Sequence, residues 1–147
     1  MSSILRFDHN LIVKSEYVEL GDLLPHEKII ERKLQNTVEF LNFEGVDAII
    51  PTVLVCSSTN VIIDGHHRYN AAYKLGLTKI PVTKILYSSN LISTTFDQNH
   101  IKKETIISRA RNGDLFEPKS TAHRVKKSNG RHLPVVVLAE LVPLRKL

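Results

Sequence analysis

Apolar positions change their period several times along the 147 residues. Residues 16–20 (EYVEL) alternate apolar and polar, which predicts a short strand. Across residues 25–41, Ile30, Leu34, Val38 and Leu41 fall at helical spacing. Pro25 suits the first turn of that helix and Gly45 follows its end. Two apolar runs, 53–56 and 60–63, flank Ser57-Ser58-Thr59 and predict a hairpin. The second run stops at Asp64-Gly65. A helix pattern follows over 66–75, with Ala71, Ala72 and Leu75 available for packing and Gly76 as a left-handed C-terminal cap. Residues 80–87, with Pro81 near the start, read as another strand. A third helix is expected over 99–112, through Ile101, Ile106, Ile107 and Ala110, closed by Gly113. Residues 114–124 read as a loop. Residues 133–141, with Val135, Val136 and Val137, suit a terminal strand, although AELVPL would also suit a short helix.

No repeat, low-complexity tract or Pro/Gly-rich linker divides the chain, so one domain is expected over residues 1–147. Apolar residues make up 42% and charged residues 24%, an ordinary globular balance. No apolar run approaches the ~20 residues that span a bilayer. The N-terminal MSSILRFDHNLIVKSE carries polar and acidic residues too early for a secretory signal. The single cysteine, Cys56, cannot form an internal disulfide and fits a reducing, cytoplasmic setting. It reads as a buried strand residue, not a nucleophile. The histidines lack zinc spacing, so no residue is assigned as a metal ligand.

The net charge of +5 favours anionic partners: nucleotides, nucleic acids or acidic surfaces. Arg124, Lys126, Lys127 and Arg131 lie close together in sequence, and Arg145 and Lys146 end the chain. They fit a phosphate-contacting patch or a solvated basic loop and tail.

The strand-turn-helix order around Asp64-Gly65-His66-His67-Arg68 carries the clearest chemistry. Glycine after a strand lets the chain turn sharply and a ligand come close. The helix that follows aims unpaired N–H groups and its positive end at the turn. His66 and His67 can donate ring N–H bonds to phosphate oxygens, and Arg68 can add a two-pronged charged contact. Asp64 is unusual in such a positive setting, which suggests work on a metal ion or a proton. Asp-Gly is also the commonest tight-turn pair, and Asp64 could simply cap the helix.

A second polar cluster lies at Lys119-Ser120-Thr121-Ala122-His123, within a loop bounded by Pro118 and Arg124. Its hydroxyls, lysine and histidine suit further phosphate contacts or a solvated loop. Glu27, in Pro25-His26-Glu27, stands where a first helical turn is expected. It fits a general base or a helix-dipole partner.

Together these runs resemble a known family. VIIDGHHRYNAAYKLGLTKIPV is similar to the signature of the ParB/sulfiredoxin-like superfamily. Within it the free-serine kinases, whose phosphate motif reads DGHHR, are the nearest in pattern. LLPHE at residues 23–27 and LFEPKSTAH at residues 115–123 resemble that family in the same order. The similarity covers about residues 17–124 and leaves 125–147 as a C-terminal extension. It implies an α+β fold, a compact mixed sheet with packed helices. It also implies magnesium-dependent transfer of a phosphoryl group from ATP or ADP to free L-serine. By the resemblance, Asp64, Gly65, His66, His67 and Arg68 hold the donor phosphates. Ser120, Thr121 and His123 contact phosphate from the other side, and Glu27 acts on the serine hydroxyl, with Asp64 as a second catalytic candidate. The kinases usually carry arginine where this chain has Ala122, and Arg124 or Lys119 could take its place. The kinases also tend to use an aromatic residue, often tryptophan, near the serine site, and this chain has no tryptophan. The cysteine of the sulfiredoxin motif is replaced by His66, which removes that branch's sulfur chemistry. The alternative is a nucleotide-binding, DNA-associated ParB-like module without kinase activity.

Overall fold

A computed structural model describes residues 9–45, 48–94 and 101–144. Its central sheet has four strands: β1 (Ile12–Glu19), β3 (Val53–Cys56), β4 (Ile62–Asp64) and β5 (Lys79–Ile85), in the order β1-β5-β3-β4. β3 and β4 form the expected antiparallel hairpin, with Leu54 opposite Asp64. β5 lies parallel to β3, with Val53 opposite Val82. A parallel return needs a crossover, and α2 (His66–Lys74) supplies it. β1 closes the other edge, antiparallel to β5.

All four residues of β3 are buried, so it carries no polar face. Its side chains alternate between two cores. Val53, Val55 and Ile62 pack with Leu34 and Leu41 of α1 (Glu31–Glu44) and with Tyr69, Ala71 and Ala72 of α2. Leu54, Cys56, Val61 and Ile63 pack on the other side with Ile106 and Ala110 of α3 (Lys103–Arg111). This is the mixed sheet with packed helices that the sequence implies. Smaller sheets complete it. β2 (Ile49–Pro51) pairs with β9 (Leu141–Pro143), and β6 (Ile92–Ser93), β7 (Arg124–Lys126) and β8 (His132–Pro134) form the third. The segment beyond residue 124 is thus built into the fold through β7, β8 and β9.

Three expectations need correction. The first helix begins at Glu31, not near Pro25. Before it the chain runs extended: Leu24 bridges Val61, and Glu27 bridges Phe116. The backbone bonds go sideways, with Ile62 N–H donating to Leu24 O and Phe116 N–H to His26 O, both at 2.8 Å. Leu24 precedes a proline, which disfavours helix there. Glu27 is therefore not in a helical first turn, and its helix-dipole role falls. Secondly, the terminal segment is not one strand. Val135–Leu138 is a 3-10 turn after Pro134 that buries Val135 and Leu138, and the strand comes later, at Leu141–Pro143. Thirdly, α3 starts at Lys103; residues 99 and 100 of the expected helix lie outside the described residues. Arg124 opens β7 and so ends the expected loop one residue early. The basic residues Lys126, Lys127 and Arg131 belong to the β7–β8 hairpin, while Arg145 and Lys146 lie outside the described residues. No helix among the described residues is long and apolar enough to cross a membrane.

Candidate active site

Gly65 ends the hairpin and opens α2 with φ 112° and ψ 24°, a left-handed conformation that side chains disfavour. A Cβ at this position would lie 2.9 Å from Arg68 Nη2 and 3.0 Å from Val53 Cγ2. Glycine is required here both for the turn and for space. No side chain caps α2, so its first-turn N–H groups are left for an anion. Asp64 therefore does not act as the cap. Its Oδ2 instead faces Arg68 Nη2 at 3.6 Å.

This turn lines a cavity of about 440 Å³. Asp64, Gly65, His66, His67 and Arg68 form one wall, and Lys119, Thr121, Ala122 and His123 form another. Glu27, Lys33 and Ile63 complete the lining. The structure thus brings together both polar clusters and Glu27, which are far apart in sequence. Ser120 does not join them. It is not a lining residue, and its hydroxyl donates to Glu117 O at 2.6 Å.

The histidines are less free than expected. His66 Nε2 accepts the His26 N–H at 3.1 Å, and His67 Nε2 accepts the Ile30 N–H at 2.9 Å. A nitrogen that accepts carries no proton, so each neutral ring holds its proton on Nδ1. One N–H per ring, not two, remains for a ligand. Burial, reinforced by His26, His123, His67 and Arg68, holds His66 far below the usual histidine range. Burial and then Lys33 lower His67. Burial pulls His123 down to about 3. His123 Nε2 pairs with the Tyr87 hydroxyl at 2.8 Å, and its Nδ1 is buried without a hydrogen-bond partner. These rings are neutral at pH 7, so positive charge must come from other groups.

Arg68 supplies part of it. Its Nη2 donates to Thr52 O at 3.1 Å, while its Nε is buried and unpaired. Burial lowers its pKa, partly offset by Asp64. Lys33 of α1 and Lys119 of the loop supply the rest. Both line the cavity, and Lys119 is the largest cause of a lowered Lys33 pKa. Two ammonium groups lining one cavity repel each other, and an anion bound there relieves that repulsion. Lys33 carries no sequence signal, being one exposed lysine on a helix. Its alignment with Lys119 exists only in three dimensions. Of the two candidates to replace the arginine at Ala122, Lys119 lines the cavity and Arg124 opens β7.

Glu27 is held by the 119–121 loop. Its Oε1 accepts the Lys119 N–H at 3.0 Å and its Oε2 accepts the Thr121 N–H at 3.2 Å. The Thr121 hydroxyl also donates to Oε2 and lies 2.8 Å from His26 Nε2. Thr121 is buried, 2% exposed, and its hydroxyl already has two protein partners. Thr121 thus lines the cavity and also holds Glu27. Lys119 adopts φ 61° to present its N–H, an uncommon conformation for a residue with a side chain.

Among the described residues no group of three His, Cys, Asp or Glu could hold a metal alone. Asp64, with a 38% exposed side chain at the cavity edge, offers one carboxylate. One carboxylate suits magnesium that arrives on nucleotide phosphates and keeps several waters.

No known family profile matches the chain. A free serine kinase in complex with AMP aligns with a TM-score of 0.66 at 15% identity, covering 84% of this chain and 92% of that one. The chain has the free serine kinase fold. Among curated relatives, an ATP-dependent L-serine kinase of Staphylothermus marinus is 32% identical over 124 residues, 81% of this chain and 46% of that protein. A ParB-like protein of Sulfolobus acidocaldarius is 38% identical over 77 residues, 52% of this chain and 37% of that protein. The resemblance read from DGHHR, LLPHE and LFEPKSTAH thus holds in sequence and in fold. The chain spans less than half the length of both curated relatives. Within the free serine kinase fold, the glycine turn at Gly65 and the carboxylate of Glu27 line the same cavity.

Proposed function

We propose that the chain is a phosphotransferase that moves a phosphoryl group from ATP or ADP to the hydroxyl of free L-serine, giving O-phospho-L-serine. One observation carries the reading: a fixed carboxylate shares a cavity with an uncapped helix N-terminus and three cations, Arg68, Lys33 and Lys119. The similarity to an ATP-dependent L-serine kinase over 81% of the chain supports the acceptor and the donor class. Phosphoryl transfer asks a protein mainly for positioning and charge neutralisation. The α2 N–H groups, Arg68 and the lysines hold the donor phosphates. His66, His67 and His123 add neutral N–H donors. Magnesium, held by Asp64 and the phosphates, would neutralise further charge. Glu27 orients the serine hydroxyl and accepts its proton as the oxygen bonds to phosphorus and the nucleotide leaves.

The test is incubation with ATP or ADP, magnesium and a panel of amino acids, with products read by mass spectrometry. O-phosphoserine is expected from the native chain. Glu27→Gln should lower kcat by at least roughly 10²-fold, the scale of a lost general base, with nucleotide affinity little changed. A fully active Glu27→Gln protein would remove Glu27 from catalysis and leave Asp64 as the next candidate base. A second reading is favoured by the ParB-like relative and by the basic β7–β8 hairpin. In it the same cavity binds nucleotide as a regulatory switch near DNA. Tight nucleotide binding without product from any acceptor would select it. A cytoplasmic setting, where nucleotide and free serine coexist, is part of the first proposal and agrees with the buried free thiol of Cys56.

A further inference from the structure

Behind Glu27 lies a chain of contacts with one hydrogen too few. His26 is fully buried. Its Nδ1 sits 2.7 Å from Ile62 O, a carbonyl that can only accept, so Nδ1 carries a proton. Its Nε2 sits 2.8 Å from the Thr121 hydroxyl, which also contacts Glu27 Oε2. If His26 is neutral and Glu27 is a carboxylate, two acceptors compete for the single hydroxyl hydrogen. Both contacts become hydrogen bonds only when the triad holds one additional proton.

We propose that His26, Thr121 and Glu27 form a relay that stores one shared proton, making His26 and Thr121 positioning residues for the candidate base. In one arrangement Glu27 Oε2–H donates to Thr121 Oγ1, and the hydroxyl donates to His26 Nε2. In the other the Oε2 proton moves to Oγ1 as the hydroxyl proton moves to Nε2. That leaves a carboxylate at Glu27 and an imidazolium at His26, with no change in total protons. Glu27 can accept a proton at Oε2 only when the shared proton is absent or on His26. Burial disfavours the imidazolium, so His26 is a transient holder.

The surroundings fit this role. His66 and His123 face the His26 ring edge-on at 4.6 Å and 5.9 Å, and Phe116 packs at 6.2 Å. Both histidines are themselves held neutral by burial. Besides His26, Glu27 faces His67, whose titration it influences, and the backbone of Lys119; Lys33 lines the same cavity. Within the triad, the hydroxyl of Thr121 connects the imidazole to the carboxylate.

The catalytic meaning of the relay rests on the kinase reading, but the relay itself can be tested without substrate. Isotope-edited NMR of the full chain follows the ring nitrogens of His26 and the carboxyl carbon of Glu27 against pH. Both are expected to change over one shared interval. Thr121→Val keeps the backbone N–H bond to Glu27 and removes the hydroxyl; it should split the interval in two. Thr121→Ser should restore it. Separate intervals in the native chain, or a shared interval surviving in Thr121→Val, would overturn the relay. Should Thr121→Val not fold, Glu27→Gln serves in its place, and an unmoved His26 titration would be equally fatal. In the kinase assay Thr121→Val should lower kcat roughly tenfold or more, on the scale of impaired proton transfer, with Thr121→Ser recovering most of it. A shared interval in a native chain that phosphorylates no acceptor supports the relay and rejects the kinase reading.

Discussion

Replacing Gly65 with alanine puts a methyl group where the phosphate turn has no room. The backbone there has φ 112°, which L-residues reach at a cost of about 1–2 kcal/mol. The new Cβ would meet Arg68 Nη2 at 2.9 Å and the two methyls of Val53 at 3.0 and 3.2 Å. Overpacking of this kind costs about 1–3 kcal/mol. The sum is about 2–5 kcal/mol, or roughly 4–20 °C in Tm for a chain of this size. Val53 belongs to the buried central strand and cannot retreat, so the guanidinium of Arg68 must move. Its bond to Thr52 O and its approach to Asp64 are then lost. Nucleotide affinity should fall together with stability. In an Arg68→Ala background the added methyl should cost less, because its nearest neighbour is gone. Thermal denaturation and calorimetric nucleotide titration on the two single variants and the double variant check this. A Gly65→Ala protein with Tm within about 2 °C of the native chain and normal affinity would refute the close-packing account of the turn.

Arg68→Ala should weaken nucleotide binding by about 1.5–3 kcal/mol, and Arg68→Lys should recover only part of it, because a lysine cannot make the two-pronged contact; unchanged affinity in a folded Arg68→Ala protein would remove Arg68 from the site. Lys33→Ala and Lys119→Ala should each weaken nucleotide binding several-fold and reduce its salt dependence, since each deletes one of the cations lining the cavity; equal affinity at low and high salt in the native chain would contradict this. Stability should fall as pH drops from 6.5 towards about 3, because buried His123 stays neutral while the same residue in the unfolded chain takes up a proton. His66 acts in the same direction. Each contributes up to about 1.4 kcal/mol per pH unit within its own window. Urea denaturation at pH 7, 6 and 5 measures the slope, His123→Gln should flatten it, and a flat native profile would show that these rings are not neutral and enclosed.

The elements that were legible in the sequence are those with one dominant local cause. The β3–β4 hairpin and α2 follow from two apolar runs, a glycine turn and a helical pattern ending at Gly76, and each stands within a residue or two of its expected place. The stretch from Pro25 to Ile30 departs from its sequence pattern because its determinants are not local. Pro25 tolerates both an extended chain and a first helical turn, and the helical spacing from Ile30 onward made the latter attractive. What decides is the pairing of Leu24 with Val61 and of Glu27 with Phe116, across 37 and 89 residues respectively by residue number. Val135-Val136-Val137 misled in a similar way. β-branched residues favour strands when a partner strand is available, but Pro134 and the burial of Val135 and Leu138 turn this run into one 3-10 turn. In the site, the cluster DGHHR was readable as a phosphate cradle because glycine, strand and helix are adjacent. Lys33 was not, because nothing on its own helix distinguishes it from a solvated lysine.

Why three separated motifs should occur together also has a physical answer in the hydrogen bonds. His66 and His67 open α2 at the phosphate turn, yet the Nε2 of each accepts a backbone N–H from the opposite wall: His26 in one case and Ile30 in the other. These two residues bracket Glu27. The helix that presents its N-terminus to the phosphates therefore also fixes the backbone on both sides of the candidate base. Thr121 and Lys119 then hold the Glu27 carboxylate from the third segment, through two backbone N–H groups and one hydroxyl. Exchanging either histidine for a residue without a side-chain acceptor would leave a backbone N–H unpaired, which costs about 1–3 kcal/mol when buried. It would also loosen Glu27 without touching it. Histidine suits these two positions because one nitrogen can hold the strand while the other keeps a proton to donate. A lysine or arginine would add charge but could not accept, so the adjacent histidines reconcile the need for an acceptor with the need for a phosphate donor in the same side chain.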